Sequence, residues 1–169
     1  MREKEKPAPS IMRAEAAHAV EPGSPGMALD RKTIQDILFG EGLVAVHDAA
    51  RPLISTLIID NCFKTAGKLG NAVPCIPVLE TVRAITEDAN ELVDRERLRI
   101  IQTPQVFQAA LLHRAYLLPY QQNFTDDASL VEAIGENIHL VAGEPENIKI
   151  TLPQDLEIAE ILFRKRQVE

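Results

Sequence analysis

Residues 43–52 read LVAVHDAARP, and this stretch decides the fold class. Leu43, Val44, Ala45 and Val46 form a short apolar run after Gly42. Such a run reads as a strand buried on both faces, of the kind found inside a parallel sheet. It stops at polar His47 and Asp48, two small alanines follow, then Arg51, and Pro52 forbids continuation as a central strand. In open α/β sheets ligands bind beyond the carboxyl ends of the strands. Asp48 and Arg51 therefore stand where such a fold keeps its chemistry. A guanidinium can fork onto phosphate oxygens, and a carboxylate can hold a hydroxyl or a hard cation such as magnesium. The same two residues can equally make a turn-stabilising pair, and spacing alone does not choose between these.

Outward from this stretch, strands and helices alternate, which sets the class as α/β. Downstream, Ser55 is a helix cap, and Leu57, Ile58, Cys62, Ala66 and Leu69 recur at helical spacing up to Gly67 or Gly70. Asn71–Val78 reads as a strand, placed at an edge or a bend by Pro74 and Pro77. Thr81, Val82 and Ile85, then Leu92 and Val93, flank the polar segment Thr86–Glu91 and predict a β-hairpin arm over about residues 78–98. A two-stranded ribbon is marginal alone in water, so it is expected to lie on another surface, a second subunit being the natural candidate. Arg99–Gln102 is a short strand, and a helix is expected from about Val106 to Leu118. Thr125-Asp126-Asp127 opens a helix closed by Gly135, and His139–Ala142 and Asn147–Thr151 read as strands, with Lys149 in the middle of the second. Thr151 with Gln154 fits a capping box for the last helix, which ends in the basic run Arg164–Arg166.

Upstream, residues 1–40 differ in kind. Pro7, Pro9, Pro22 and Pro25 recur among alanines and charges, a composition expected to give a mobile, poorly packed arm. Ile34, Ile37, Leu38 and Phe39 predict one short amphipathic helix, capped by Asp30. The chain thus divides into an atypical segment, 1–40, and an α/β domain, 41–169.

The totals narrow the function. At 169 residues the chain is long enough for one real core. A net charge of −7 argues against general duplex binding, and 4% aromatics without Trp argue against a stacking surface for single strands. No nucleic-acid partner is expected, although a few local cations can still hold a small anionic ligand. Cys62 and Cys75 follow no metal or disulfide pattern and read as buried, reduced thiols of a cytoplasmic protein. No apolar run is long enough for a membrane span, and no signal peptide is expected.

Four polar sets fall at the ends of expected strands: Asp48 with Arg51, Thr103 with Gln105, Thr125–Asp127, and Lys149. Nucleotidyl transfer builds negative charge at phosphorus, and its catalyst is mainly positioned cations and donors. Lys149 and Arg51 can supply the positive charge, and Asp48 can hold a metal or a sugar hydroxyl. Each set also has a plain structural role available: an edge lysine, a helix cap, a turn. No serine or cysteine stands in a nucleophile motif, and His18, His113 and His139 lack zinc-ligand spacing.

VHDAARP at Val46–Pro52, VDR at Val93–Arg95, TPQ at Thr103–Gln105, TDDAS at Thr125–Ser129 and NIKIT at Asn147–Thr151, followed by Pro153 and Asp155, occur in this order. Together they resemble the 2-C-methyl-D-erythritol 4-phosphate cytidylyltransferase family of the non-mevalonate isoprenoid pathway, over about Gly42–Phe163. The resemblance implies a Rossmann-like, glycosyltransferase-A-like nucleotidyltransferase sheet. It implies CTP and methylerythritol phosphate as substrates, magnesium as cofactor, pyrophosphate release, and a cytoplasmic homodimer that exchanges its β-arm. On it, Lys149 and Asp48 are catalytic, with Asp48 near the metal and the nucleotide. Arg51 and Thr125 line the substrate pocket, and Thr81 and Arg95 of the arm bind sugar phosphate in the partner's site.

The family's Gly-rich loop, of the form AAGxGxRMGxxxPKQ, which wraps the CTP phosphates through backbone N–H groups, is missing from this sequence. So is its later Gly-Gly-x-x-Arg-x-x-Ser element. The pattern starts near Glu41, as a truncated or frame-shifted reading of a longer gene would give. The expectation is a nucleotidyltransferase domain without its nucleotide grip. A sugar-phosphate-binding module, a dimerisation remnant and an enzyme for another polyol phosphate are the alternatives.

Overall fold

A computed structural model describes residues 41–119 and 121–167. The expectations for residues 1–40, a mobile arm and the Ile34–Phe39 helix, lie outside the described residues. From Leu43 the order is β1 (Leu43–Val46), α1 (Thr56–Leu69), β2 (Asn71–Pro77), β3 (Val82–Ile85), β4 (Asn90–Val93), a 3-10 turn at Arg95–Arg97, β5 (Arg99–Ile101), β6 (Gln105–Gln108), α2 (Ala109–Tyr116), α3 (Asp127–Ala133), β7 (Leu140–Ala142) and α4 (Pro153–Arg166).

Helix α1 forms where its sequence directs. The Ser55 hydroxyl accepts from the Ile58 N–H at 3.2 Å, satisfying one orphan donor of the first turn. Ile58, Cys62 and Ala66, four residues apart, are its buried stripe. Gly70 ends it at φ 94°, a conformation that costs a side-chain residue more than glycine, and returns its N–H to Ala66 O.

The main sheet runs β1-β6-β2-β5, with β7 on the other side of β2. Successive residues of its central strands face opposite layers. Ala72 and Val106 pack with Ile58, Cys62 and Ala66 of α1, whereas Val73 and Phe107 pack with Leu112 and Ala115 of α2 and Leu130 and Val131 of α3. Each of the larger side chains among these, Ile58, Val73, Val106, Phe107, Leu112, Leu130 and Val131, contributes about 1.5–3 kcal/mol by its burial. The fold is mixed α/β, with helices on both faces.

Several expectations are corrected. Among the described residues β1 pairs with β6 alone, antiparallel with Val46 opposite Gln105, and it is only partly buried rather than buried on both faces. Among the described residues only β2 and β7 pair in parallel. Residues 106–108, expected as the start of a helix, belong to β6, because Val106 and Phe107 are each fully buried on opposite faces of the sheet. β2 lies at the centre despite its prolines. Pro74 stands one residue past the end of β5, where Gln102–Pro104 interrupts the ladder before β6 begins. Its missing N–H falls in that break, while its carbonyl still accepts from Gln102 N–H at 2.8 Å. Asn147–Thr151 is not a strand but an irregular segment. The cap of α4 is made by Asp155, whose carboxylate accepts from the N–H groups of Thr151 and Leu152 and from the Thr151 hydroxyl, rather than by Thr151 and Gln154. Those three donors hold the Asp155 carboxyl below its usual value.

Candidate active site

The antiparallel pairing of β1 with β6 brings the residues after β1 against those before β6. The Asp48 N–H donates to Thr103 Oγ1 at 3.0 Å, and Thr103 Oγ1 lies 2.9 Å from His47 Nδ1. His47 Nε2 lies 3.1 Å from the Arg51 carbonyl, which can only accept. This assigns the proton to Nε2, leaving Nδ1 to accept from the Thr103 hydroxyl. A neutral imidazole suits both contacts, and desolvation lowers the His47 pKa from 6.5. His47 is thus a bracket for the loop.

Asp48 is the hub. Its Oδ2 accepts from Arg51 Nε at 3.2 Å and from Lys149 Nζ at 3.1 Å. The two cations differ in freedom. The Arg51 side chain is 11% exposed, and its remaining donors reach the carbonyls of Asn147 at 2.8 Å and Ile101 at 3.5 Å. The Lys149 side chain is 47% exposed. A phosphate approaching the cluster therefore meets Lys149 first, with Asp48 and Arg51 behind it.

Thr125 lies at the exposed start of α3, its N–H donating to Ser129 Oγ at 3.2 Å. Gln105 ties that turn to β6: its Nε2 donates to Asp126 Oδ2 at 2.8 Å and its Oε1 accepts from Ala128 N–H at 2.9 Å. The Asp127 carboxyl is raised above 3.8, first by burial and then by the charges of Asp126 and Asp48, against a lowering hydrogen bond from the Tyr116 hydroxyl.

Thr81 and Arg95 sit apart from these. Thr81 precedes β3, and Arg95 follows β4 and donates to the Leu79 carbonyl at the base of the ribbon. Among the described residues no hydrogen bond or ion pair joins either to Asp48, Arg51 or Lys149.

Two buried amides were not legible as site residues. Gln102 clasps Glu144 through the latter's N–H and carbonyl, and Asn147 donates to Thr103 O, whereas Gln105, singled out with Thr103 in the sequence, holds Asp126 and Ala128. Gly143 is required beside the first, since a Cβ there would lie 2.3 Å from Gln102 Oε1 and 3.1 Å from the Cys75 carbonyl. The only available signal was their adjacency to charged motifs.

A family model for 2-C-methyl-D-erythritol 4-phosphate cytidylyltransferase matches residues 8–165. The chain belongs to that family. The match begins well upstream of Glu41, where the recognisable motifs begin. A cytidylyltransferase of this name from Phocaeicola vulgatus is 50% identical over 124 residues, covering 73% of this chain and 57% of that protein. One from Porphyromonas gingivalis is 46% identical over 122 residues, covering 72% and 55%. The chain thus spans little more than half the length of the curated relatives it matches. The crystal structure of the Thermus thermophilus cytidylyltransferase superposes with a TM-score of 0.66 at 39% identity, over 79% of this chain and 69% of that one. The 4-diphosphocytidyl-2C-methyl-D-erythritol synthase of Anaerococcus prevotii gives 0.69 at 26% identity, over 82% and 66%. Asp48 and Arg51 follow the end of β1 and meet Lys149, which lies on an irregular segment rather than in the middle of a strand.

No group of three or more His, Cys, Asp or Glu side chains among the described residues forms a metal cage. Asp48 offers one oxygen, Oδ1, that takes no hydrogen bond from the described residues. That donor set fits a magnesium ion held mainly by substrate phosphates with one protein carboxylate, its usual arrangement in phosphoryl-transfer sites.

Proposed function

We propose that this site serves transfer of a cytidylyl group from CTP to 2-C-methyl-D-erythritol 4-phosphate. The observation that carries the reading is the Asp48 hub, with one exposed and one buried cation on the same carboxylate oxygen. In the reaction an oxygen of the sugar phosphate attacks the α-phosphorus of CTP. A new P–O–P bond forms, the bond from the α-phosphorus to the bridging oxygen breaks, and pyrophosphate leaves. No protein nucleophile is needed, which suits a cluster with none.

The chain's residues have separable tasks. Lys149 turns from Asp48 to the non-bridging oxygens of the reacting phosphate and offsets the charge that builds there. Asp48, relieved of Lys149, accepts from a sugar hydroxyl and offers Oδ1 to magnesium, which when bound neutralises phosphate charge. Arg51 and Thr125 border the pocket that receives the sugar phosphate. Thr81 and Arg95 reach the site of a second copy, in a cytoplasmic homodimer, since among the described residues no hydrogen bond or ion pair ties them to the cluster of their own chain. The nucleotide grip belongs to the part of the relatives that this chain does not match.

The test is pyrophosphate release from CTP, methylerythritol phosphate and magnesium, with the chain and with Lys149→Ala. Release reduced at least about a hundredfold in the variant is the expected result, the scale of losing one transition-state charge contact. Thermal stabilisation by methylerythritol phosphate without release reassigns the chain to a sugar-phosphate-binding module, the reading its partial coverage of the relatives favours next. A folded chain that shows neither response overturns both.

A further inference from the structure

Lys149 has no ladder to hold it. Its segment contributes no strand, and one backbone hydrogen bond, Ile150 N–H to Ala50 O at 2.8 Å, pins it from the C-terminal side. Two residues before it, Asn147 is completely buried, and two of its hydrogen bonds lead to residues that hold Asp48. Its Nδ2 donates to Thr103 O at 2.9 Å, and Thr103 Oγ1 is the acceptor for Asp48 N–H. Its carbonyl accepts from Arg51 Nη1 at 2.8 Å, and Arg51 Nε holds Asp48 Oδ2. Gln102 Nε2 approaches the same carbonyl at 3.4 Å, and the Asn147 N–H closes a turn onto Glu144 O at 3.0 Å.

We propose that Asn147 is the positioning residue for Lys149, joining the lysine segment to both residues that fix Asp48. The proposal rests on the cytidylyltransferase reading of the site and deepens it. Asn147 is not a catalytic residue, because full burial keeps it from substrate. It sets the distance between Lys149 Nζ and the carboxylate against which the lysine is poised. The side-chain assignment is forced: the group facing the Thr103 carbonyl must be a donor, so it is the NH₂. That leaves Asn147 Oδ1 buried without a partner among the described residues. An unpaired buried acceptor costs stability and is retained where the rest of the side chain has another use.

This orphan suggests the variant. Leucine has nearly the shape of asparagine, so Asn147→Leu removes the unpaired oxygen together with the Thr103 contact, and the two stability effects oppose. A purely structural asparagine would lose little. A positioning one would lose the order of Lys149.

The experiment reads the side-chain 15N–1H signal of the Lys149 ammonium at low temperature, assigned by its loss in Lys149→Arg. It is recorded for the chain and for Asn147→Leu, alongside kcat and KM for pyrophosphate release. The control is Asn71→Leu, another buried asparagine, which holds Asn137 O and His139 N–H and has no link to Asp48. The expected result is an ordered Lys149 signal in the parent and in Asn71→Leu, lost or mobile in Asn147→Leu. Alongside it, kcat falls at least about tenfold with KM within about twofold, a change confined to the transition state. A Lys149 signal equally ordered in Asn147→Leu overturns the inference. If the parent chain releases no pyrophosphate, the ammonium signal still decides the matter, so failure of the functional reading and failure of this inference are told apart.

Discussion

At the scale of single residues, charge state and hydrogen bonding are bound together. His47 brackets the site loop, its Nε2–H on the Arg51 carbonyl and its Nδ1 beside the Thr103 hydroxyl. Its folded pKa lies below 6.5 because desolvation outweighs the neighbouring contacts that raise it. The sign of the linkage follows. As pH falls, the unfolded histidine takes its proton near 6.5, before the folded one does, so protons favour unfolding across that window. The stability that His47 contributes is present above pH 6.5 and is lost as pH falls through the lowered folded value. Urea midpoints of the chain should therefore drop more steeply below pH 6.5 than those of His47→Gln. Parallel curves for the two proteins would sink this account of the bracket. Cys62, by contrast, takes no part: burial pushes its thiol to about 11, so it is an inert core residue.

At the scale of elements, the site is an agreement among loops that three buried amides enforce. Gln105 is the clearest, because one side chain satisfies both the acid and the backbone at the start of α3. Gln105→Ala leaves the Ala128 N–H buried and unpaired, a cost of about 1–3 kcal/mol. Urea unfolding should show that loss, and hydrogen exchange should quicken first at residues 128–131. Unchanged exchange there would mean that packing of Leu130 and Val131 alone holds α3.

The same links explain what the sequence discloses. Helices α1 and α3 were legible because their caps, Ser55 and Asp126, and their buried stripes are local facts. The order of charged motifs was legible too, and Asp48, Arg51 and Lys149 do meet. β6 was not, since two apolar residues between glutamines carry no period; their burial comes from helices remote in sequence. Nor was the central place of β2, which depends on where the opposing ladder breaks. Asn147 and Gln102 look like ordinary polar residues until the carbonyls and amides they serve are brought beside them by the sheet.

At the scale of the whole molecule, the chain leaves much apolar surface uncovered. On the ribbon, Ile85 is 80% and Leu92 67% exposed, and the register Arg83↔Leu92 puts the two on one face. Leu79, Ile100, Ile101 and Leu140 are exposed as well, on or beside strands that pair with β2 or lead into the ribbon. On α4, Leu156, Ile158, Ile161 and Phe163 are exposed while only Ala159 is buried. An isolated two-stranded ribbon is marginal in water, and apolar patches of this kind mark contact surfaces. If two copies exchange ribbons, Ile85 and Leu92 become buried and Arg95 reaches the partner's Asp48 cluster. Sedimentation of the chain at micromolar concentration should then report a dimer. The double substitution Ile85→Asp and Leu92→Asp should yield a monomer, because two carboxylates cannot enter an apolar contact without large desolvation cost. Amide protection should vanish from residues 82–93 in that variant and persist in α1, whose stripe of Ile58, Cys62 and Ala66 is buried within one copy. A parent chain that sediments as a monomer while its ribbon amides stay protected would show that the ribbon is stable unaided, and Thr81 and Arg95 would then have no route to a second site.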